Sequence, residues 1–370
     1  MAITRPLSNP ARAVSQDQPE TDRSATHRRA VGWWLIVCCG LIFAMVVIGG
    51  VTRLTESGLS IVTWEPIGGA IPPLDQADWQ RLFADYQHSP QYRQVNQGMG
   101  LDEFRTIFWW EYVHRLWGRL IGLAFLAPLL WFAATGRLAR RLRLPLAGIF
   151  VLGGLQGALG WWMVASGLRD VPWVSPYRLT AHLGLALLIY AATLWIALDL
   201  LRPRAAAATA GLRRGARALL ALVFTTILAG GFVAGTDAGL IYNSFPWMGD
   251  GLIPPDYRNP ALGFLQNALE NHPAVQFHHR VLAITTVVVV AAFWLAARRH
   301  ALAPPARHAL AGLLAMALLQ AGLGISTLLL HVPVALAALH QAGAVALLTL
   351  ALLTAHALSA GHADAQNSQH

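Results

Sequence analysis

Apolar residues run along this chain in eight long blocks, near 31–52, 112–135, 145–166, 179–201, 217–236, 279–297, 307–330 and 333–358. A bilayer core takes about 20 such residues per helix, so each block predicts one transmembrane span. The shortest division is the last, where only Leu330-His-Val-Pro333 parts two blocks. Between the blocks the polar residues are unevenly spread. Arg137, Arg140, Arg141 and Arg143 follow the second span, Arg202, Arg204, Arg213 and Arg214 the fourth, and Arg298, Arg299 and Arg307 the sixth. Basic residues collect on the cytoplasmic side, so these loops, the N-terminal tail with Arg28 and Arg29, and the C-terminus are expected there. The two long connections, about 53–111 and 237–278, then lie outside, and their Pro, Trp and acidic residues predict folded loops. The expected fold is an all-α integral membrane protein with eight transmembrane helices.

The pattern also repeats. The first span ends in Gly49-Gly50, followed by Thr55, Ser57-Gly58-Leu59 and Pro72-Pro73; the fifth ends in Gly230-Gly231, followed by Thr236, Ala238-Gly239-Leu240 and Pro254-Pro255. Glu111-Tyr-Val-His114-Arg115 likewise matches Gln276-Phe-His-His279-Arg280. Four spans return the chain to its starting side, so the repeat predicts two pseudo-symmetric four-helix bundles of the same orientation. The expected division is a disordered cytoplasmic tail over 1–30, an N-terminal half over 31–202, a cytoplasmic linker over 203–216, a C-terminal half over 217–358 and a tail over 359–370.

Composition agrees with the membrane reading. Of 370 residues, 55% are hydrophobic and 12% charged, too apolar for a soluble chain of this length. The formal charge of +9 comes from arginine without any lysine, and its concentration in short loops points to topology rather than to nucleic acid. Cys38 and Cys39 are adjacent inside the first block, which suits small buried residues and not a disulfide, a CxxC pair or a zinc site. Arginines among the first thirty residues would suit a mitochondrial transit peptide, but Asp17, Glu20 and Asp22 oppose that.

Candidate chemistry begins at Glu103–Arg119, where Glu111, His114 and Arg115 share one helical face at a membrane boundary. Of fourteen histidines, four recur at matched depth: His114 and His182 on the second and fourth spans, and His279 and His340 on the sixth and eighth. A lone membrane histidine is more often a helix-to-helix hydrogen-bonding residue. Two repeated pairs instead predict bis-imidazole ligation of haem iron inside each bundle. A zinc site lacks the cysteines or carboxylates to complete four ligands. His278 and His331 adjoin ligand positions, so a shift of register would exchange them.

Haem propionates need cations, and Arg53, Arg115, Arg178 and Arg280 lie at the outer ends of the spans near these histidines. Each alone fits snorkelling to headgroups equally well, but outer arginines run against the usual charge bias. Trp109, Trp110, Trp117, Trp161 and Trp162 fit an interfacial belt. The halves differ where the first has Glu111 and the second Gln276. A desolvated Glu111 would stabilise developing positive charge or handle protons in one half only; its alternative is a plain ion pair with Arg115.

At these residues the chain resembles the haem A synthase family. The matching pieces are Gly-Gly-Val-Thr-Arg-Leu-Thr-Glu-Ser-Gly-Leu-Ser (49–60), Trp64-Glu-Pro66, Glu103-Phe104, Phe108-Trp-Trp-Glu-Tyr-Val-His-Arg115, Thr180-Ala-His182, His278-His-Arg280 and Leu339-His-Gln341. The resemblance implies an oxidoreductase that converts haem O to haem A by oxidising a ring methyl to a formyl group for terminal cytochrome oxidase. It implies substrate haem between His114 and His182, an essential Glu111, and haem b between His279 and His340. One branch of the family carries a cysteine pair in the outer loop; this chain has none there and resembles the alphaproteobacterial and mitochondrial branch. Candidate partners are haem O synthase as supplier, an electron donor of unspecified kind and a second copy of the chain; the expected location is a bacterial inner membrane. Two other readings use the same histidines: a dihaem b-type electron-transfer cytochrome linked to quinol, and a non-catalytic haem-binding assembly factor.

Overall fold

The computed structural model describes residues 18–63, 68–169, 171–202 and 208–359. Trp64-Glu-Pro66, Arg204 and the outermost tail residues lie outside them. In chain order the helices are α1 Gln18–Leu54, α2 Gln76–Gln87, α3 Pro90–Gln94, α4 Leu101–Ala134, α5 Arg140–Gly167, α6 Pro176–Leu201, α7 Ala210–Gly235, α8 Phe264–Glu270, α9 His272–Ala297, α10 Pro304–Leu329 and α11 Val334–Leu358. Among the described residues there is no β-strand, and eight helices, α1, α4, α5, α6, α7, α9, α10 and α11, are long and apolar enough to cross a membrane.

These eight close into two rings of contact. In one, α4 packs on α1 and α5, and α6 packs on α5 and α1; in the other, α9 packs on α7 and α10, and α11 packs on α10 and α7. The rings meet where α6 touches α7 and α11, and where α1 touches α11. Buried Leu35, Leu146, Leu187, Leu219, Leu313 and Leu348 belong to one continuous core through both. Polar groups cross the seam as well. Gln341 Nε2 donates to the Val46 carbonyl at 2.6 Å, Tyr190 and Thr349 share a hydrogen bond of 2.7 Å, and His356 Nε2 lies 2.8 Å from Asp199 Oδ1.

Several helices begin earlier than the apolar blocks. α4 starts at Leu101 rather than near 112, because Glu103 Oε2 accepts the Gly100 N–H at 2.9 Å and its first turns pack against protein instead of lipid. There Phe104, Phe108 and Tyr112 join Tyr86 in a buried aromatic cluster flanked by Trp79 and Phe83. α9 starts at His272, with Pro273 in its first turn where a missing N–H costs nothing. The linker expected over 203–216 is shorter, since Thr209 Oγ1 accepts the Leu212 N–H and opens α7 at Ala210. The tail expected to be disordered over 1–30 is helical from Gln18; once a span nucleates a helix, each added residue gains a backbone bond.

The long connections are folded. Tyr86 accepts from Asn96 Nδ2 at 2.8 Å and donates to Gln91 Oε1 at 3.1 Å, and Gln91 Nε2 donates to the Glu56 carbonyl at 2.8 Å. Burial pushes the Tyr86 phenol above its usual range, although the Asn96 bond opposes this. Glu56 and Asp237 occupy the same place after Thr55 and Thr236, and both have φ of 53°. A left-handed non-glycine residue costs on the order of 1 kcal/mol. Both halves therefore turn out of their first helix by the same strained step.

Candidate functional site

All four histidines lie on the long-loop side of their helices, but not at the helix starts that the apolar blocks suggest for two of them. His114 stands in the fourth turn of α4 and His279 at the start of the third turn of α9; His182 and His340 stand in the second turns of α6 and α11. The structure brings His279 and His340 together, with ring centroids 6.5 Å apart and planes at 84°. Two imidazoles that share one iron, each with its nitrogen about 2 Å from the metal, have centroids roughly 6 Å apart, so this pair fits bis-imidazole ligation. His278, the alternative by register, is turned to the loop: Tyr257 Oη lies 3.0 Å from its Nε2 and the Ala268 carbonyl 3.3 Å from its Nδ1. Among the described residues no three His, Cys, Asp or Glu side chains converge on a metal position. A pair of histidines suits an iron whose other four ligands arrive with a macrocycle.

Each histidine rests on the helix that precedes it. A Cβ added at Gly49 of α1 would lie 2.8 Å from His114 Cε1, at Gly160 of α5 3.0 Å from His182 Cε1, at Gly230 of α7 3.0 Å from His279 Cε1, and at Gly324 of α10 2.8 Å from His340 Cε1. Gln156 and Gln320, one turn before two of these glycines, donate to the main-chain carbonyls of His182 and His340 at 3.0 and 2.8 Å; Gln156 Nε2 also lies 3.3 Å from His182 Nε2. These residues escape a reading that follows polar side chains. Their signal is a second repeat, Leu155-Gln156 with Leu159-Gly160 against Leu319-Gln320 with Leu323-Gly324.

Glu111 is 3% exposed, and three groups donate to it. Oε2 accepts the Ser60 hydroxyl at 2.7 Å and the Ile61 N–H at 2.8 Å. Oε1 accepts Arg115 Nη2 at 2.6 Å and Nε at 3.1 Å. The ion pair with Arg115 is thus present, and it is one part of a larger cradle. The second half is rebuilt around an amide: Gln276 Nε2 donates to the Tyr242 carbonyl at 3.2 Å, and Ile241 stands where Ser60 stands. Acid and hydroxyl change together, which separates this pair of positions from the features the halves share.

The four arginines hold the long-loop end by bonds that sequence does not foretell. Arg115 donates to the Ile61 and Thr63 carbonyls at 2.8 and 3.0 Å. Arg280 does the same to Tyr242 and Ser244 at 2.7 and 2.9 Å. Arg178 donates to the Trp162 carbonyl at 2.7 Å with its guanidinium 4.1 Å from the Trp162 ring centre. Arg53 pairs with Asp237 at 2.8 Å across the seam. Trp109, Trp110, Trp161 and Trp162 are exposed on the helix surfaces as a belt would be, whereas Trp117 turns inward and donates to the Leu41 carbonyl at 2.9 Å.

Comparison with known proteins agrees with this layout. The family model described as cytochrome oxidase assembly protein, COX15-CtaA, matches residues 32–352. The chain is 54% identical over 345 residues to heme A synthase of Nitrosospira multiformis, spanning 92% of this chain and 96% of that protein. It is 49% identical over 339 residues to heme A synthase of Parvibaculum lavamentivorans, spanning 91% and 97%. It is 47% identical over 339 residues to Heme A synthase COX15 of Homo sapiens, spanning 89% and 82%. With all eight membrane helices inside or overlapping the matched region, this chain belongs to the COX15-CtaA family of cytochrome oxidase assembly proteins.

Proposed function

We propose that this chain is a haem A synthase, an oxidoreductase that converts a ring methyl of haem O to the formyl group of haem A for terminal cytochrome oxidase. The names of its relatives support the reaction, and one observation supports the reading that the chemistry belongs to one half. Ser60 and Glu111 occur in one histidine-bearing ring, and Ile241 and Gln276 replace them in the other. Substrate haem O would lie between His114 and His182, and resident haem b between His279 and His340. When bound, haem b supplies one-electron chemistry at an iron held by two imidazoles.

The chain's own residues do the rest. Ser60, Ile61 and Arg115 fix both oxygens of Glu111 one turn from His114. Held there, the carboxylate stabilises positive charge that develops at the reacting methyl or takes up its proton. Arg53, Arg115, Arg178 and Arg280 keep positive charge at the long-loop end, where propionates would lie. Main-chain carbonyls fix Arg178 and Arg280 without neutralising them, whereas Arg53 and Arg115 are also paired with Asp237 and Glu111. In this reading the long loops face outward from a bacterial inner membrane, the arginine-rich loops and both termini are cytoplasmic, and haem O synthase is the supplier of substrate.

Extraction of pigments from the protein, purified from a host that makes haem O, tests the proposal. Haem O together with haem A is the expected result. Haem b alone, without haem A, would overturn it in favour of a dihaem electron-transfer cytochrome.

A further inference from the structure

We propose that Gly49, Gly160, Gly230 and Gly324 are positioning residues, each the seat that sets the ring orientation of one iron-ligating histidine. The inference rests on the bis-imidazole reading above. A ligating histidine is commonly oriented through its second nitrogen, which donates to a carboxylate or a main-chain carbonyl. Here no carboxylate takes that part. Nδ1 of His114, His182, His279 and His340 is buried, and none of the four makes a hydrogen bond. The main-chain carbonyls of Thr226 and Gln320 approach His279 and His340 without closing one of good geometry.

The torsion that spins an imidazole about its bond to Cβ is broad, so an unbonded ring needs packing to define it. The glycines supply that packing. Their missing Cβ leaves the space that the ring edge fills, closer than most Cβ contacts come. Ordinary close packing of membrane helices through small residues would put glycines at many contacts. It does so here for Gly32 on Leu201, Gly167 on Leu59, Gly215 on Phe293 and Gly312 on Leu350, but none of these meets a histidine, and Gly40 on α1, Gly153 and Gly157 on α5, Gly211 on α7 and Gly322 on α10 meet nothing within 4 Å. On each of the four helices the glycine that faces the histidine is filled, while another glycine stands in open space.

An alanine at a seat presses on the ring: at 2.8 Å (Gly49, Gly324) the ring has to shift, and at 3.0 Å (Gly160, Gly230) it has to give by a few tenths of an ångström. Were an iron bound by the same ring, that movement would change the ligand field at the metal. In the haem-loaded protein, Gly230→Ala and Gly324→Ala should shift the ferric low-spin electron paramagnetic resonance signal or convert part of it to high spin. Gly211→Ala and Gly322→Ala, on the same helices, should leave it unchanged. Spectra of the seat variants superimposable on the parent at equal haem content would overturn the proposal.

Should Gly324→Ala fail to accumulate, the same question can be put with the tethered ring removed. In a His340→Gly background, titration with free imidazole should restore the low-spin signal, and adding Gly324→Ala should weaken imidazole about tenfold, or ~1.4 kcal/mol. Equal affinity in the two backgrounds would also overturn the seat. An unchanged low-spin signal in His279→Ala or His340→Ala would remove the ligand pair itself. Loss of the signal there, with no effect of the glycine variants, would remove only the seat.

Discussion

Replacing Glu111 by glutamine keeps the shape of the side chain, removes one charge and leaves a single oxygen where two now accept. If that oxygen stays with Arg115, the new amide meets the Ile61 N–H, which cannot turn away, and the Ser60 hydroxyl, which can. One buried N–H left without an acceptor costs about 1–3 kcal/mol. The second half shows how such an amide is accommodated: Gln276 donates to the Tyr242 carbonyl, which also receives Arg280. Ile61 offers the equivalent carbonyl, already bonded to Arg115. Glu111→Gln should therefore fold and bind haem with a modest loss of thermal stability. Loss of a positioned acid or base typically costs roughly 10²–10⁴ in rate, so conversion of haem O should fall by far more than stability does. Chromatography of extracted haems measures the conversion, and the low-spin absorption of the same sample reports haem binding. Adding Ser60→Ile should recover stability without recovering turnover, because it completes the arrangement of the second half. Parental haem A formation by Glu111→Gln would refute a catalytic role and leave Glu111 as the structural partner of Arg115.

His279→Ala and His340→Ala should each abolish the low-spin haem b absorption, whereas His278→Ala should preserve it, since His278 is committed to Tyr257 and Ala268; a surviving signal in the first two refutes the pair. Reporter fusions within 68–100 should read as outside and fusions at 137–140 as cytoplasmic, and the reverse pattern would overturn the orientation. A double-mutant cycle of Arg53→Ala and Asp237→Ala should give a coupling of about 0.2–1 kcal/mol in thermal unfolding, because Asp237 is 64% exposed. A much larger coupling would mean that this pair, and not the apolar core, holds the rings together at the long-loop end.

The membrane helices were legible because hydropathy reports the one property a bilayer demands. The four histidines stood out in the chain because an ionisable residue contrasts with an apolar background and the repeat gave each a twin; the structure sets the rings of His279 and His340 beside each other. What hydropathy hides is where a helix continues into protein: α4 reaches back to Leu101 because Phe104 and Phe108 bury against Trp79 and Tyr86, not against lipid. The partners of the arginines were hidden for a different reason, since main-chain carbonyls of Ile61, Thr63, Tyr242 and Ser244 carry no side-chain signature. Ser60 meets Glu111 only through the path of the intervening loop. Two of the glycine seats, Gly160 and Gly324, were written in the chain as Leu-Gln-x-x-Leu-Gly and the other two, Gly49 and Gly230, as the first of a Gly-Gly pair, but a glycine in an apolar helix leaves the profile flat and shows its purpose only when the neighbouring helix is in place.

The paired glycines at the ends of α1 and α7 carry a consequence for origin. Gly49 meets His114 of its own ring while Gly50 meets Gln341, next to His340 of the other; Gly230 meets His279 of its own ring while Gly231 meets Thr180 and Leu183, beside His182. The contact of α1 with α11 and that of α7 with α6 are thus one interface made twice. A lone four-helix half would carry both sides of that interface and would match a second copy of itself, as isologous dimers do. Such a dimer has two identical histidine pairs joined through adjacent residues of one helix. Fusing its genes would free one copy to exchange Ser and Glu for Ile and Gln without dismantling the contact that holds the pair.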